Sequence, residues 1–156
     1  MKSNFTLEQL HHETRELALL LETSTRRIET PSAKNMRTYG THRARCHPFK
    51  YATSSPPSHD LIDLDFKHKD SMLEAIINTA KYTYMFLDAQ KAMTLIDHAL
   101  MTSLGEQKPK RFHLFHLKVD PAAELKCFKI FLENCIKADN DAIEAQPRAA
   151  LSGRNS

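Results

Sequence analysis

The stretch from Asp120 to Lys137 has the clearest helical pattern in the chain, and it requires other elements to cover it. Four of its charged residues fall within a stripe about 80° wide. They are Lys126, Lys129, Glu133 and Lys137. Apolar residues occupy the other sides: Leu125, Cys127, Phe128, Ile130, Phe131, Leu132, Cys135 and Ile136. We therefore expect the most buried helix of the protein here, with Asp120 as its cap and Pro121 at its first position.

The length and composition fit a single domain. The chain has 156 residues, and such a chain can bury roughly two-thirds of its unfolded surface in one core. Three cysteines are too few for a disulfide framework, which favours a reducing compartment. No apolar run approaches the roughly 20 residues that cross a bilayer, and the first residues do not resemble a signal peptide. We expect a soluble, cytoplasmic protein with no membrane partner.

The N-terminal segment 1–30 is predicted to be a helix. Thr6 and Gln9 form a capping-box pattern at its start, and Pro31 follows its expected end. One stripe contains Leu10, Thr14, Leu17, Leu21, Ser24 and Ile28. Two of these six positions are polar, which favours packing on the protein's own body over a coiled-coil seam. A weak homo-oligomer through this helix remains the alternative.

Two short segments are predicted to be strands. Residues 61–67 alternate apolar and charged side chains, which places Ile62, Leu64 and Phe66 on one inward face. Residues 112–119 alternate in a similar way. Between them, Ser71 is expected to open a helix that breaks near Asp88. A third strand at 82–87 is the alternative, because this run is rich in strand-favouring residues but lacks a turn before it.

These elements predict an α-rich α+β domain in which helices pack on a two-stranded sheet formed by 61–67 and 112–119. With a third strand at 82–87, the fold becomes a layered α/β structure. The single domain is divided into an N-terminal helix at 1–30, a loop at 31–59, a core at 60–138 and a mobile tail at 139–156.

The net charge of +3 is unevenly distributed. Residues 31–59, which we call the basic segment, contain five basic and no acidic side chains. The parts 1–30, 60–104 and 105–156 contribute −1, −3 and +2, so the whole excess can be assigned to the basic segment. Four prolines and a Ser-Ser-Pro-Pro-Ser run also fall within it, and they indicate a long loop, which in compact domains is usually functional or disordered.

Seven residues of the basic segment are the candidate binding residues. They are Arg37, Tyr39, Arg43, Arg45, Phe49, Lys50 and Tyr51. Arginine and lysine bind carboxylates and phosphates, and the interleaved rings offer surfaces on which bases stack. We expect a small intracellular adaptor or regulatory protein that binds an acidic protein surface through this loop. A single-stranded nucleic-acid-binding protein is the alternative. The acidic strip Asp60, Asp63 and Asp65 of the same chain is a possible intramolecular target.

Catalysis is the weaker hypothesis, since no linear motif supplies an active site, a metal site or a cofactor site. Cys46 between Arg45 and His47 is the best nucleophile, but nothing in the sequence supplies an oriented third group or an oxyanion hole. His42, Cys46 and His47 lack the second ligand pair of a zinc site. A small enzyme remains a second alternative, built from residues of distant segments. The candidates are Asp63, Asp65, His98, Cys46 and His116.

Overall fold

The computed structural model describes residues 5–24, 56–106 and 120–154. Within these ranges the chain forms five α-helices: α1 (Leu7–Thr23), α2 (His59–Asp65), α3 (Lys69–Phe86), α4 (Ala89–Leu100) and α5 (Pro121–Arg154). A short 3₁₀ turn, Ser103–Gly105, follows α4. None of the described residues lies in a β-strand. The fold is therefore helical in this part, and the predicted two-stranded sheet is wrong.

The predicted strand at 61–67 is the helix α2 and the turn that follows it. Ser58 caps this helix, because its hydroxyl accepts a hydrogen bond from the backbone N–H of Leu61. Ile62 and Phe66 are both buried, and their separation of four places them on one helical face as readily as on one strand face. Leu64, which the strand would have pointed inward, is 56% exposed. The other predicted strand, 112–119, lies outside the described residues.

The alternative strand at 82–87 is also wrong, because α3 continues through Phe86. Both Leu87 and Asp88 donate backbone hydrogen bonds to the carbonyl of Thr83, so the helix ends there. The predicted break near Asp88 is confirmed. The Asp88 side chain accepts a hydrogen bond from the N–H of Gln90 at 2.8 Å and caps α4.

The core forms around α3, α4 and the first half of α5. Leu125, Phe128 and Leu132 of α5 are fully buried, as the helical pattern predicts. The expectation that this is the most buried helix is wrong, because α3 contains more buried residues and is covered by α1, α2, α4 and α5. Asp120 caps this helix through the N–H of Ala122 at 3.2 Å, which confirms the predicted start. Two predicted core residues, Cys127 and Ile130, are exposed instead.

The helix α5 continues to Arg154, so no helix end falls at the predicted boundary near 138. Residues 140–145 are all exposed. Mobility of the 139–156 tail stays a prediction. Among the helices described, none is both long enough and apolar enough to cross a membrane.

The helix α1 packs against α2, α3 and α4. Its capping box is present: the Thr6 hydroxyl accepts from the N–H of Gln9, and the Gln9 side chain accepts from the N–H of Thr6. Leu10, Thr14 and Leu17 are buried, so the predicted stripe faces the protein's own body. The Thr14 hydroxyl donates to the Leu10 carbonyl at 2.7 Å, which satisfies this polar group inside the core. The predicted end near residue 30 is wrong, because α1 ends at Thr23 and Ser24 is already in an extended conformation; residues 25–30 lie outside the described part.

Candidate functional site

All seven candidate binding residues of the basic segment lie outside the described residues. They are Arg37, Tyr39, Arg43, Arg45, Phe49, Lys50 and Tyr51. The structure does describe the chain on both sides of these residues, up to Ser24 at the end of α1 and from Pro56 onward. The site is therefore built from these two ends and from the helices that hold them.

A hydrogen-bonded pair joins the two ends. The backbone N–H of His59 donates to Oε1 of Glu22 at 3.1 Å, and Nδ1 of the His59 ring lies 2.8 Å from Oε2 of the same carboxylate. This contact with His59 lowers the pKa of Glu22 below its ordinary value. The pair therefore joins two residues that are 37 positions apart in the chain, at the junction of α1 and α2.

A second polar link between α1 and α2 centres on Asp63. Nε2 of His11 lies 2.7 Å from Oδ1 of Asp63, and Nε of Arg15 donates to Oδ2 at 3.4 Å. The hydrogen bond with His11, followed by that with Arg15, lowers the pKa of Asp63. The ring of His11 also stacks on Phe66, with centroids 4.8 Å apart. Asp63 is thus engaged in joining two helices.

A third link joins α1 to α4. Nδ1 of His98 lies 2.6 Å from Oε2 of Glu13, and the His98 ring stacks on Phe5 with centroids 4.3 Å apart. Together with Glu22–His59 and Asp63–His11, this makes three histidine–carboxylate pairs between α1 and the other helices. Sequence reasoning missed these pairs, because their members are 37 to 85 residues apart and no local pattern connects them.

The catalytic candidates do not converge in the part of the chain that the structure describes. Asp63 pairs with His11 and Arg15, and His98 pairs with Glu13. Asp65 forms no side-chain hydrogen bond with Asp63 or His98. Cys46 and His116 lie outside the described residues. No group of three or more metal-ligating side chains occurs in the described ranges.

The cysteines of α5 differ in their surroundings. Cys135 is buried, and burial, with a smaller contribution from the charge of Asp139, raises its pKa to about 11. Its thiol is therefore protonated at neutral pH and behaves as a small core side chain, as predicted. Cys127 is exposed, which corrects its prediction as a core residue.

Comparisons with known proteins add no relative to this picture. A scan against models of protein families, a search of curated proteins and a search of solved structures each found no match for the chain.

Proposed function

We propose that this chain is a small helical adaptor or regulatory protein that binds an acidic surface of another protein through its basic segment. Arg37, Arg43, Arg45 and Lys50 supply the charge that pairs with the partner's carboxylates, and Tyr39, Phe49 and Tyr51 supply contact area between them. The proposal does not depend on a cofactor or on a chemical step.

The observation that carries the proposal is the concentration of charge. All five basic residues between 31 and 59 occur without one acidic residue, while residues 60–104 have a net charge of −3. A local field of one sign attracts a partner surface of the opposite sign and accelerates its encounter. An evenly charged surface of the same net charge would not have this effect.

The Glu22–His59 pair supports the proposal from the helical side. It joins the end of α1 to the start of α2, so the described residues on the two sides of the seven candidate residues meet at one junction. Closing a long connection adds little entropic cost per extra residue, so the long loop predicted between these two helices is compatible with a stable helical body.

The test replaces Arg37, Arg43, Arg45 and Lys50 together with serine. The partner is first captured from lysate with the wild-type protein, identified, purified and then titrated against both proteins. We expect the variant to lose at least about tenfold in affinity, since charge-assisted hydrogen bonds contribute more than neutral ones. Its thermal midpoint should shift by about 2 °C or less, because the sequence predicts a long loop here and substitutions in surface loops rarely affect stability.

The matched control replaces four exposed lysines outside the segment with serine: Lys67, Lys91, Lys126 and Lys137. It removes the same charge and should leave binding nearly unchanged. Equal losses in both variants would show that net charge, not the basic segment, attracts the partner. Capture that disappears after nuclease treatment, with an affinity that falls steeply as salt is added, would replace the acidic protein with nucleic acid.

A further inference from the structure

A small groove lies between α2 and α3, next to the junction described above. Pro56, Leu61 and Asp65 form one wall, and Glu74, Ala75 and Asn78 of α3 form the other. Its volume is about 90 Å³. Pockets for cofactors and drug-sized ligands usually measure about 300–1,000 Å³, so this groove, the α2–α3 groove, fits one side chain and not a cofactor.

Asp65 is the polar group of interest in this groove. It is partly buried, and burial raises its pKa above the ordinary value. No cation or hydrogen-bond donor in the described part of the chain offsets this burial, in contrast to Asp63 on the same helix, which is held by His11 and Arg15. A carboxylate at the edge of an apolar groove is stabilised when a cation binds beside it.

The α2 side of the groove continues into an exposed apolar surface. Leu61, which lines the groove, is 51% exposed, and Leu64, one turn further along α2 and outside the groove lining, is 56% exposed. Leu61 and Asp65 are four residues apart and therefore adjacent on the helix surface. Two exposed leucines and a carboxylate that has no cation among the described residues thus lie on neighbouring parts of α2, and together they match a basic side chain with apolar neighbours.

We propose that the α2–α3 groove binds an arginine or lysine side chain that a second protein presents between apolar residues. The aliphatic stem of that side chain lies against Leu61 and Ala75, its charged end pairs with Asp65, and the flanking apolar residues cover Leu61 and Leu64. Apart from Pro56 and Pro57, the residues that line this groove lie outside the basic segment, and the groove takes a partner of the opposite charge. A protein with both surfaces can join an acidic partner to a basic one.

The test uses a capped peptide in which one arginine stands between two leucines, and a matched peptide in which neutral citrulline replaces the arginine. Binding to the ¹⁵N-labelled full-length protein is followed by amide chemical shifts. We expect the shifts to concentrate in α2 and the first half of α3, and the arginine peptide to bind at least about tenfold more tightly than the citrulline peptide.

The variant Asp65→Asn should abolish the preference for arginine. It should also fold normally, since the aspartate has no bonded partner to lose in the described residues, and an unchanged amide spectrum checks this. The control Asp141→Asn removes an exposed carboxylate of α5 and should preserve the preference.

Three results would overturn the proposal: no binding of either peptide, equal binding of both peptides, or shifts confined to other helices. Sedimentation of the free protein identifies a different occupant. If the wild type dimerises and Asp65→Asn is monomeric, the groove is occupied by a second copy of this chain and the separate partner is wrong. None of these variants changes a residue of the basic segment, so a negative result here would not contradict the proposed function.

Discussion

Ile130 and Leu132 are large aliphatic residues two positions apart in α5, yet their surroundings differ completely. Leu132 is fully buried, whereas Ile130 is 59% exposed. Two positions rotate a side chain by about 200° around a helix, so the two residues point in nearly opposite directions. The sequence predicted both in the core, because α5 has apolar residues on most of its sides. The helices α3 and α4 pack against one side of α5, and this packing determines that Leu132 is covered and Ile130 is not.

This difference predicts unequal costs of truncation. Leu132→Ala should lower the free energy of unfolding by about 2–5 kcal/mol, because it removes buried methyl groups and leaves a cavity. Ile130→Ala should change it by about 0.5 kcal/mol or less, because the side chain is mostly in water. Urea unfolding of the two variants measures both values. Similar losses in both would show that Ile130 is covered in solution.

At the scale of the helix, the sequence predicted two of the helix starts from their capping residues and failed at two others. Thr6 with Gln9 and Asp120 with Pro121 confirm the prediction, because a cap needs only residues within one turn. The predicted start at Ser71 is wrong, since α3 begins at Lys69 after His68, which makes no side-chain capping bond. The start of α2 was missed because a run of seven residues fits both periods at Ile62 and Phe66.

The cap of α1 gives a prediction at this scale. Thr6→Ala should lower the free energy of unfolding by about 1 kcal/mol, because the N–H of Gln9 loses its side-chain acceptor. Thr23→Ala, at the other end of the same helix, is the matched control. The Thr23 hydroxyl donates back to the carbonyls of Leu19 and Leu20 in its own helix, and alanine favours the helix, so no loss is expected. Chemical unfolding of both variants separates the cap from a general effect of losing a threonine.

At the scale of the whole molecule, α1 is held by apolar packing and by three histidine–carboxylate pairs. Two of the carboxylates, Glu22 and Asp63, have pKa values lowered by their bonds to His59 and His11. A carboxylate whose pKa is lower in the folded protein stabilises it fully above its ordinary pKa. That contribution is lost as the pH falls through the lowered value. The attachment of α1 therefore depends on pH in the acid range.

We expect the wild-type protein to lose stability as the pH falls below the ordinary values, 4.5 for Glu22 and 3.8 for Asp63. The double variant Glu22→Gln and Asp63→Asn should lose less over the same interval, because its amides do not titrate. Unfolding in urea from about pH 6 to about pH 3 measures both profiles. The control Asp141→Asn and Glu144→Gln changes two exposed carboxylates of α5 and should follow the wild type. Parallel profiles for all three proteins would exclude a role for the pairs.

By itself, the sequence determined the features that depend on neighbouring residues or on counting. It located the caps at Thr6 and Asp120 and the break at Asp88, it predicted the buried side of α5 at Leu125, Phe128 and Leu132, and it assigned the excess charge to residues 31–59. A cap, a break and a stripe are all produced by residues within a few turns of one another.

Only the tertiary structure decided that 61–67 is a helix, that Asp63 binds α1 while Asp65 borders a groove, and that Ile130 faces water. Each of these outcomes depends on a partner from a distant part of the chain. His11 and Asp63 are 52 residues apart, and Glu13 and His98 are 85 apart. The free energy of such contacts is gained only when the helices pack, so it leaves no periodic signal in the sequence of either helix.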